Sequence, residues 1–208
     1  MHRYHARMDG IGWALSAMSA ARTRLDVAAQ NLANSSTDGF RKTNLRGFLD
    51  ASGVQFQRSP DTAQGALRRT GRDFDFAIVG AGAFRLRDHD GRLHQTRSGS
   101  FARDRFSRLV DREGRVLIGA HGPVCVPEGA IVDGQGSIVR DGIVLNRIPL
   151  PSGSNVRSGF LESSNVDVIS QMIDVLTSQR SFEAAQKVLA VIDRIHEHSS
   201  TQLAELKS

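Results

Sequence analysis

A few places in this 208-residue chain carry residue types able to do chemistry. The stretch FDFAIVGAGAFRL sets Gly80 and Gly82 after a strand-like run, the opening of a dinucleotide-binding loop. The third glycine of that pattern falls at Arg85, whose side chain blocks the close helix–strand packing such a loop needs. The run FRLRDHDG, from Phe84 on, reads as another strand and turn, so the glycine pair belongs to a hairpin or bulge. The seven histidines offer metal ligands, yet His196 and His198 stand two apart on a helical stretch and face different directions. His2 and His5 lie at the start of the chain, His89 flanks a turn and His94 a strand, and no set converges. Ser98-Gly99-Ser100 lacks the G-x-S-x-G frame of a nucleophilic serine and reads as turn material. Cys125, alone in PVCVP, excludes an internal disulfide and reads as a small core residue rather than a nucleophile. These residues give no catalytic, cofactor-binding or metal site, and the chain is not expected to be an enzyme.

The elements that hold those residues say more. From Asp9 to Ala33, with Asp9 as N-cap, apolar residues fall at Ile11, Leu15, Met18, Leu25, Ala29 and Leu32, a spacing of 4, 3, 7, 4, 3. That is an a/d-like stripe on a helix rich in alanine, a residue that favours helix and close approach. From Asn165 to Leu206 the helical period returns through Ile169, Met172, Ile173, Leu176, Ala185, Val188, Leu189, Ile192, Ile195, Leu203 and Leu206, with SSNVD as N-cap. Between the two, glycine-containing turn pairs at Asp90-Gly91, Glu113-Gly114, Asp133-Gly134 and Asp141-Gly142 separate short runs such as FDFAIV, AFRLRD, RVLIG, SIVRD and IVLNRIPL.

The expected fold is α+β: N- and C-terminal helices that pair as a coiled-coil-like assembly domain, and a central antiparallel β-roll or barrel. The boundaries read as residues 1–42 for the first helix and its cap, 43–157 for the β-rich part and 158–208 for the second helix. The C-terminal stripe outlasts the N-terminal one, so part of it needs partners beyond its own chain, because a lone helix is marginal in water.

Composition closes off other classes. Hydrophobic residues make 39% and charged residues 24%, as in a folded soluble chain, and no apolar run approaches a membrane span. The formal charge of +5 is scattered among acidic residues, and aromatic residues are 6%, too few for a base-stacking surface, so no nucleic-acid partner is expected. Nor does the start of the chain read as a cleaved signal.

Where the first helix stops, NLANSSTDGF runs from Asn31 to Phe40. Asn34, Ser35, Ser36, Thr37 and Asp38 can each bond nearby backbone, Gly39 can take a positive φ, and Phe40 anchors the chain after the turn. The motif reads as a C-cap and as a joint that positions the first helix relative to the β-rich part.

The stretch LDVAAQNLANSSTDGFRK resembles the N-terminal signature of the bacterial flagellar rod and hook protein family, N-L-A-N-x-x-T-x-G-[FY]-[KR], matching at Asn31, Leu32, Ala33, Asn34, Thr37, Gly39, Phe40 and Arg41. SGFLESSNVDVISQMIDVLTSQRSFEAAQKVLAVIDRI is similar to the family's C-terminal signature, G-x-L-E-x-S-N-V before a helix carrying Q-R-x-[FY]-E. The matches there are Gly159, Leu161, Glu162, Ser164, Asn165, Val166, Gln179, Arg180, Phe182 and Glu183. The middle, with AIVGAGAF, a D-G turn and TRSGSF, is similar to the family's A-I-x-G-x-G-F-F and T-R-x-G-S-F segments, with Ala83 in place of an aromatic. Within the family, GPVCVPEGA looks more like the proximal rod branch adjoining the distal rod than the hook or distal rod.

The resemblance implies a structural subunit of the basal-body rod, exported by the flagellar type III apparatus without a cleaved signal. It implies stacking head-to-tail in the periplasm, with copies of itself and neighbouring rod proteins, into a helical drive shaft. On that reading Ile11, Leu15, Met18, Leu25 and Leu32 line a helix seam with Ile169, Met172, Leu176, Val188, Ile192 and Ile195. Gly159 and Asn165 set the turn into the second helix, and Arg180 and Glu183 form an intrahelical pair or an intersubunit contact. The rival is a soluble coiled-coil scaffold or adaptor outside the flagellum, which would keep the heptads but has no need of both signatures.

Overall fold

The computed structural model describes residues 10–50 and 53–205. The Asp9 cap, His2, His5 and Leu206 lie outside the described residues, as do the side chains from His196 onward. Helix α1 spans Gly10–Ala33 and helix α2 spans Val168–Glu205. The α2 N-terminus is capped as SSNVD suggests: Asp167 Oδ1 accepts the Ile169 amide at 3.1 Å and Oδ2 the Ser170 hydroxyl at 2.6 Å.

Fifteen strands lie between them: β1 Thr43–Asp50, β2 Gly53–Pro60, β3 Leu67–Arg69, β4 Phe76–Val79, β5 Phe84–Arg87, β6 Leu93–Thr96, β7 Ala102–Arg103, β8 Leu109–Val110, β9 Val116–Gly119, β10 Gly122–Pro123, β11 Ile131–Val132, β12 Ser137–Arg140, β13 Ile143–Arg147, β14 Asn155–Ser158 and β15 Phe160–Glu162. All pair antiparallel, as expected of an α+β chain. The largest sheet runs β6-β5-β9-β8-β7 with β10 on β9; a smaller one runs β11-β12-β13, and three further sheets are two-stranded. Among the described residues no sheet closes on itself, so these are open sheets rather than a barrel. Beyond the eight-residue β1 and β2, the strands run only two to five residues and are too short to wrap a full circle.

The chain forms two compact units interleaved in sequence. One holds the residues up to Ala33, Thr43–Asp61 and those from Val166 on; the other holds Asn34–Lys42 and Thr62–Asn165. The chain therefore crosses between the units after Ala33, Lys42, Asp61 and Asn165. The reason is local. The cap motif packs with the β-rich residues, while the β1–β2 hairpin sits with the helices, where the Arg24 guanidinium lies 5.6 Å from the Phe56 ring centre.

In the β unit, Phe76, Ile78, Phe84, Leu86, Phe101, Leu109, Leu117, Val124, Val126, Ile138, Ile148 and Val156 form one core. Phe84 and Phe101 meet edge to face at 5.4 Å. Period two decides Cys125: Val124 and Val126 point inward, so Cys125 is exposed and not the core residue expected.

One turn design recurs four times, at Asp88–Arg92, Asp104–Arg108, Asp111–Arg115 and Asp133–Ser137. In each, the Asp carboxylate accepts the amide of the fifth residue, at 2.8, 2.9, 2.9 and 2.8 Å. The fourth residue has positive φ: Gly91, Ser107, Gly114 and Gly136. His94 Nε2 lies 2.9 Å from Asp88 and is the main reason that carboxyl is held below its usual range. Burial pushes the Asp104 carboxyl up, but the amide and guanidinium of Arg108 and the amide of Phe106 outweigh it and leave it below the usual range as well.

Candidate assembly site

The cap motif winds into a tight turn: Thr37 N donates to Asn34 O at 3.1 Å and Phe40 N to Thr37 O at 3.2 Å, while Thr37 Oγ1 reaches Asn34 Oδ1 at 3.3 Å. Gly39, at φ 73°, donates its amide to the Glu162 carbonyl at 2.6 Å. A Cβ on Gly39 would stand 2.2 Å from the Ser98 nitrogen, so the position demands glycine for both its backbone angle and its space. Asp38 then meets Arg68 at 3.2 Å.

Glu162 is the centre of this turn's support. Its side chain is 1% exposed, and its Oε2 takes the Arg97 guanidinium through Nε and Nη2, both at 2.8 Å. Oε1 accepts Arg41 Nη2 at 3.3 Å and the Gly65 amide at 3.2 Å. Arg97, also buried, spends its remaining donors on backbone carbonyls: Gly80 at 2.9 Å, Gly82 at 2.8 Å and Ile78 at 3.1 Å. The glycine pair that sequence offered as a nucleotide loop thus receives a guanidinium. A buried carboxylate held by two cations and an amide is satisfied, and removing the carboxylate leaves the buried Arg97 guanidinium without its anion.

Two asparagines clasp the chain where it leaves each unit. In the helical unit Asn31 is buried; its Oδ1 accepts the Thr43 amide at 2.8 Å, and its Nδ2 donates to Thr43 O and Gln171 Oε1, both at 3.0 Å. In the β unit Asn165 Oδ1 accepts the Lys42 amide at 2.7 Å, and its Nδ2 donates to Ala63 O at 2.9 Å. Sequence singled out both asparagines but not Arg97 as a site residue. The only sign of Arg97 was its place in TRSGSF.

Within the helical unit α1 and α2 run antiparallel, with Asn31 at Gln171 and Gly10 at Ile192, where a Cβ on Gly10 would lie 3.2 Å from Ile192 Cδ1. The buried residues of α1 are Ala14, Ala21, Val27, Ala28 and Asn31, three of them alanine. The α2 residues turned inward are Gln171, Val175, Ser178, Phe182, Ala185, Leu189 and Ile192, spaced 4, 3, 4, 3, 4, 3.

This corrects the expected seam. Ile192 is on it, and Ile11, Met18, Leu25 and Leu32 are half-buried, but Leu15 faces solvent. So do Ile169, which is 71% exposed, Met172, Leu176, which is 56% exposed, Val188 and Ile195. Alanine permits close approach, so the alanine side of α1 faces in, against the Val175, Phe182, Leu189 and Ile192 row of α2. Gln179, Arg180 and Glu183 are exposed and divide the outer stripe into two apolar patches, Ile169–Leu176 and Val188–Ile195. Among the described residues no ion pair joins Arg180 to Glu183. Gly159, at φ 75°, accepts the Thr70 amide at 2.8 Å, Leu161 is buried, and Val166 is half-buried.

Three family models match along the chain. A model described as "Flagella basal body rod protein" matches residues 12–41, "Flagellar hook protein FlgE/F/G D1 domain" matches 77–159, and "Flagellar basal body rod FlgEFG protein C-terminal" matches 157–201. The flagellar basal-body rod protein FlgF of Mesorhizobium japonicum is 34% identical over 216 residues, covering 84% of this chain and 89% of the relative. The chain belongs to the flagellar rod and hook protein family. FlgF of Caulobacter vibrioides is 30% identical, covering 84% and 89%. The hook protein FlgE of Salmonella typhimurium is 38% identical over 114 residues, which is 51% of this chain and 28% of that one. The family is structural and non-enzymatic. Each of the three matched segments supplies one member of the buried cluster: Arg41 from the first, Arg97 from the second and Glu162 from the third.

Proposed function

We propose that this chain is a structural subunit of the flagellar basal-body rod, placed in its proximal part. The observation that carries this reading is the outer stripe of α2. Ile169, Met172, Ile173, Leu176, Val188, Val191 and Ile195 are all exposed, and so are Trp13 and Leu15 on α1. An apolar surface of that extent on a structural family member is a surface for other subunits. Copies of this chain and neighbouring rod proteins would cover it, pairing helices in coiled-coil fashion and stacking head-to-tail into a helical drive shaft.

Subunits would reach the periplasm through the type III export apparatus without a cleaved signal. Among the described residues no helix is long and apolar enough to cross a membrane. Residues 1–42 and 158–208 would then serve mainly axial assembly and 43–157 the outer body of the subunit. The test is the protein composition of extracted hook–basal bodies, with a deletion strain as control. The chain is expected in the bodies, and its deletion is expected to leave them without the outer rod and hook. Complete bodies in the deletion strain would overturn the reading.

A further inference from the structure

The β unit has open strand edges far in sequence from the helical stripe. In the sheet β11-β12-β13, β12 is central, so among the described residues β11 and β13 each lack a strand neighbour on one side. Both edges are apolar and exposed: Ile131 is 68% exposed and Val144 58%, with Ile143 and Leu145 beside Val144. The register sets Ile131 opposite Val139 and Val139 opposite Val144, so the three side chains form one row across the sheet. Unprotected apolar edges of this kind are where another chain pairs.

A groove of about 580 Å³ lies along β11. Phe74, Val126, Pro127 and Ala130 give it apolar walls; Asp73, Glu128 and Arg103 give it charge. Arg103 lies 6.0 Å from the Phe74 ring centre, and among the described residues no carboxylate pairs with it. The β13 edge is presented by a two-residue turn, Asp141-Gly142, with φ 51° and 78°. Beside the turn Arg140 Nε stands 3.5 Å from Asp141 Oδ2, so this edge carries one cation and one anion. Those are the complements of the groove's carboxylates and of its unmatched arginine.

We propose that Ile143–Leu145 of one copy seats along β11 in the groove of the next copy, extending the three-stranded sheet from subunit to subunit. This rests on the rod-subunit reading and adds a second contact to that of the helices. A second copy is the occupant because one chain carries both halves. β12 separates them, so they cannot meet within one molecule. Two different surfaces in contact do not close into a ring of two, which is what a growing filament requires. The pairing also continues the apolar row, setting Val144 of one copy beside Ile131 of the next. The contact is short, since Arg147 O already accepts the Ala120 amide at 2.7 Å and only the start of β13 is open.

β11 and β13 both run antiparallel to β12, so the joined strands are parallel, and neighbouring strands lie about 4.7–4.9 Å apart, within the roughly 4.4–6.8 Å Cα span of a disulfide. The test uses the full chain carrying Cys125→Ser, Val144→Cys and Ile131→Cys, assembled in cells, with extracted basal bodies then oxidised. A ladder of cross-linked multimers is expected, forming at least about tenfold faster than with Val144→Cys and Leu93→Cys, the latter an exposed position on β6. Bodies that contain the chain but give no faster cross-linking than this control overturn the groove contact and leave the rod reading standing. If the Cys125→Ser parent is itself absent from the bodies, both readings fall.

Discussion

The Glu162 carboxylate meets the Arg97 guanidinium through two nitrogens at 2.8 Å, in a place where both side chains are almost wholly buried. Arg41 completes the cluster at 3.3 Å, so three stretches far apart in sequence are tied by charge. Breaking a buried pair by removing one partner costs about 3–5 kcal/mol. Glu162→Gln and Arg97→Met are therefore each expected to lower the melting temperature by roughly 10 °C, at about 2–4 °C per kcal/mol for a chain of this size. The double variant Glu162→Gln with Arg97→Met is expected to lose less than the sum of the two singles. Strict additivity in a thermal-denaturation cycle would contradict a coupled cluster.

Gly39 and Gly71 form a matched test. Both have positive φ, 73° and 72°, but a Cβ at Gly71 meets nothing within 4 Å, whereas at Gly39 it strikes the backbone of Arg97 and Ser98. Gly71→Ala is expected to cost about 1–2 kcal/mol, the left-handed penalty alone. Gly39→Ala is expected to cost clearly more and to expose the segment 34–42 to protease. Equal costs by urea denaturation would remove the close-approach argument.

Ser107 occupies at φ 59° the place that glycine fills in the three sister turns. Ser107→Gly relieves the left-handed strain and partly offsets it with a freer unfolded chain, so a net gain of about 0.5–1 kcal/mol is expected. A lowered urea midpoint would mean that the Ser107 side chain has a role the turn geometry does not reveal.

Acid should act on the same turns. The carboxyls of Asp88 and Asp104 sit below their usual range in the folded chain, the first chiefly through His94 and the second because the Arg108 and Phe106 hydrogen bonds outweigh burial. A depressed folded value means stabilisation that is present above the unfolded value of about 3.9 and lost as pH falls through the folded one. Asp104→Asn is thus expected to lower the melting temperature at pH 7 and to make progressively less difference as pH falls below the unfolded value of about 3.9. An equal loss throughout that range would assign the effect to packing rather than to charge.

How much of this was legible in the sequence varies with the range of the interaction. Helices and strands obey local periods, and α1, α2, β4, β5, β6, β9, β12 and β13 stand where the periods put them. The turns were harder. Asp90-Gly91 and Glu113-Gly114 marked two correctly, but the carboxylates that hold them are Asp88 and Asp111, three residues before the glycine. In DGQGS the positive φ belongs to Gly136 rather than Gly134, and the Asp104 turn was hidden because serine replaces glycine at its fourth place. The helix seam was misjudged for a physical reason: ranking positions by hydrophobicity selects Leu15 and Leu176, while close approach selects Ala14, Ala21 and Ala28. The partnership of Arg41, Arg97 and Glu162 depends on tertiary placement and has no local signal.

The central claim is that the outer face of α2 joins subunits. Met172→Glu with Leu176→Glu changes two exposed positions and should leave the isolated chain's circular dichroism and melting temperature unchanged to within about 1 kcal/mol of stability. The decisive measurement is the amount of this double variant in extracted hook–basal bodies, beside Leu176→Met as the conservative control. The double variant is expected to be absent and the control present. Incorporation of the double variant at the parent's level would contradict the claim.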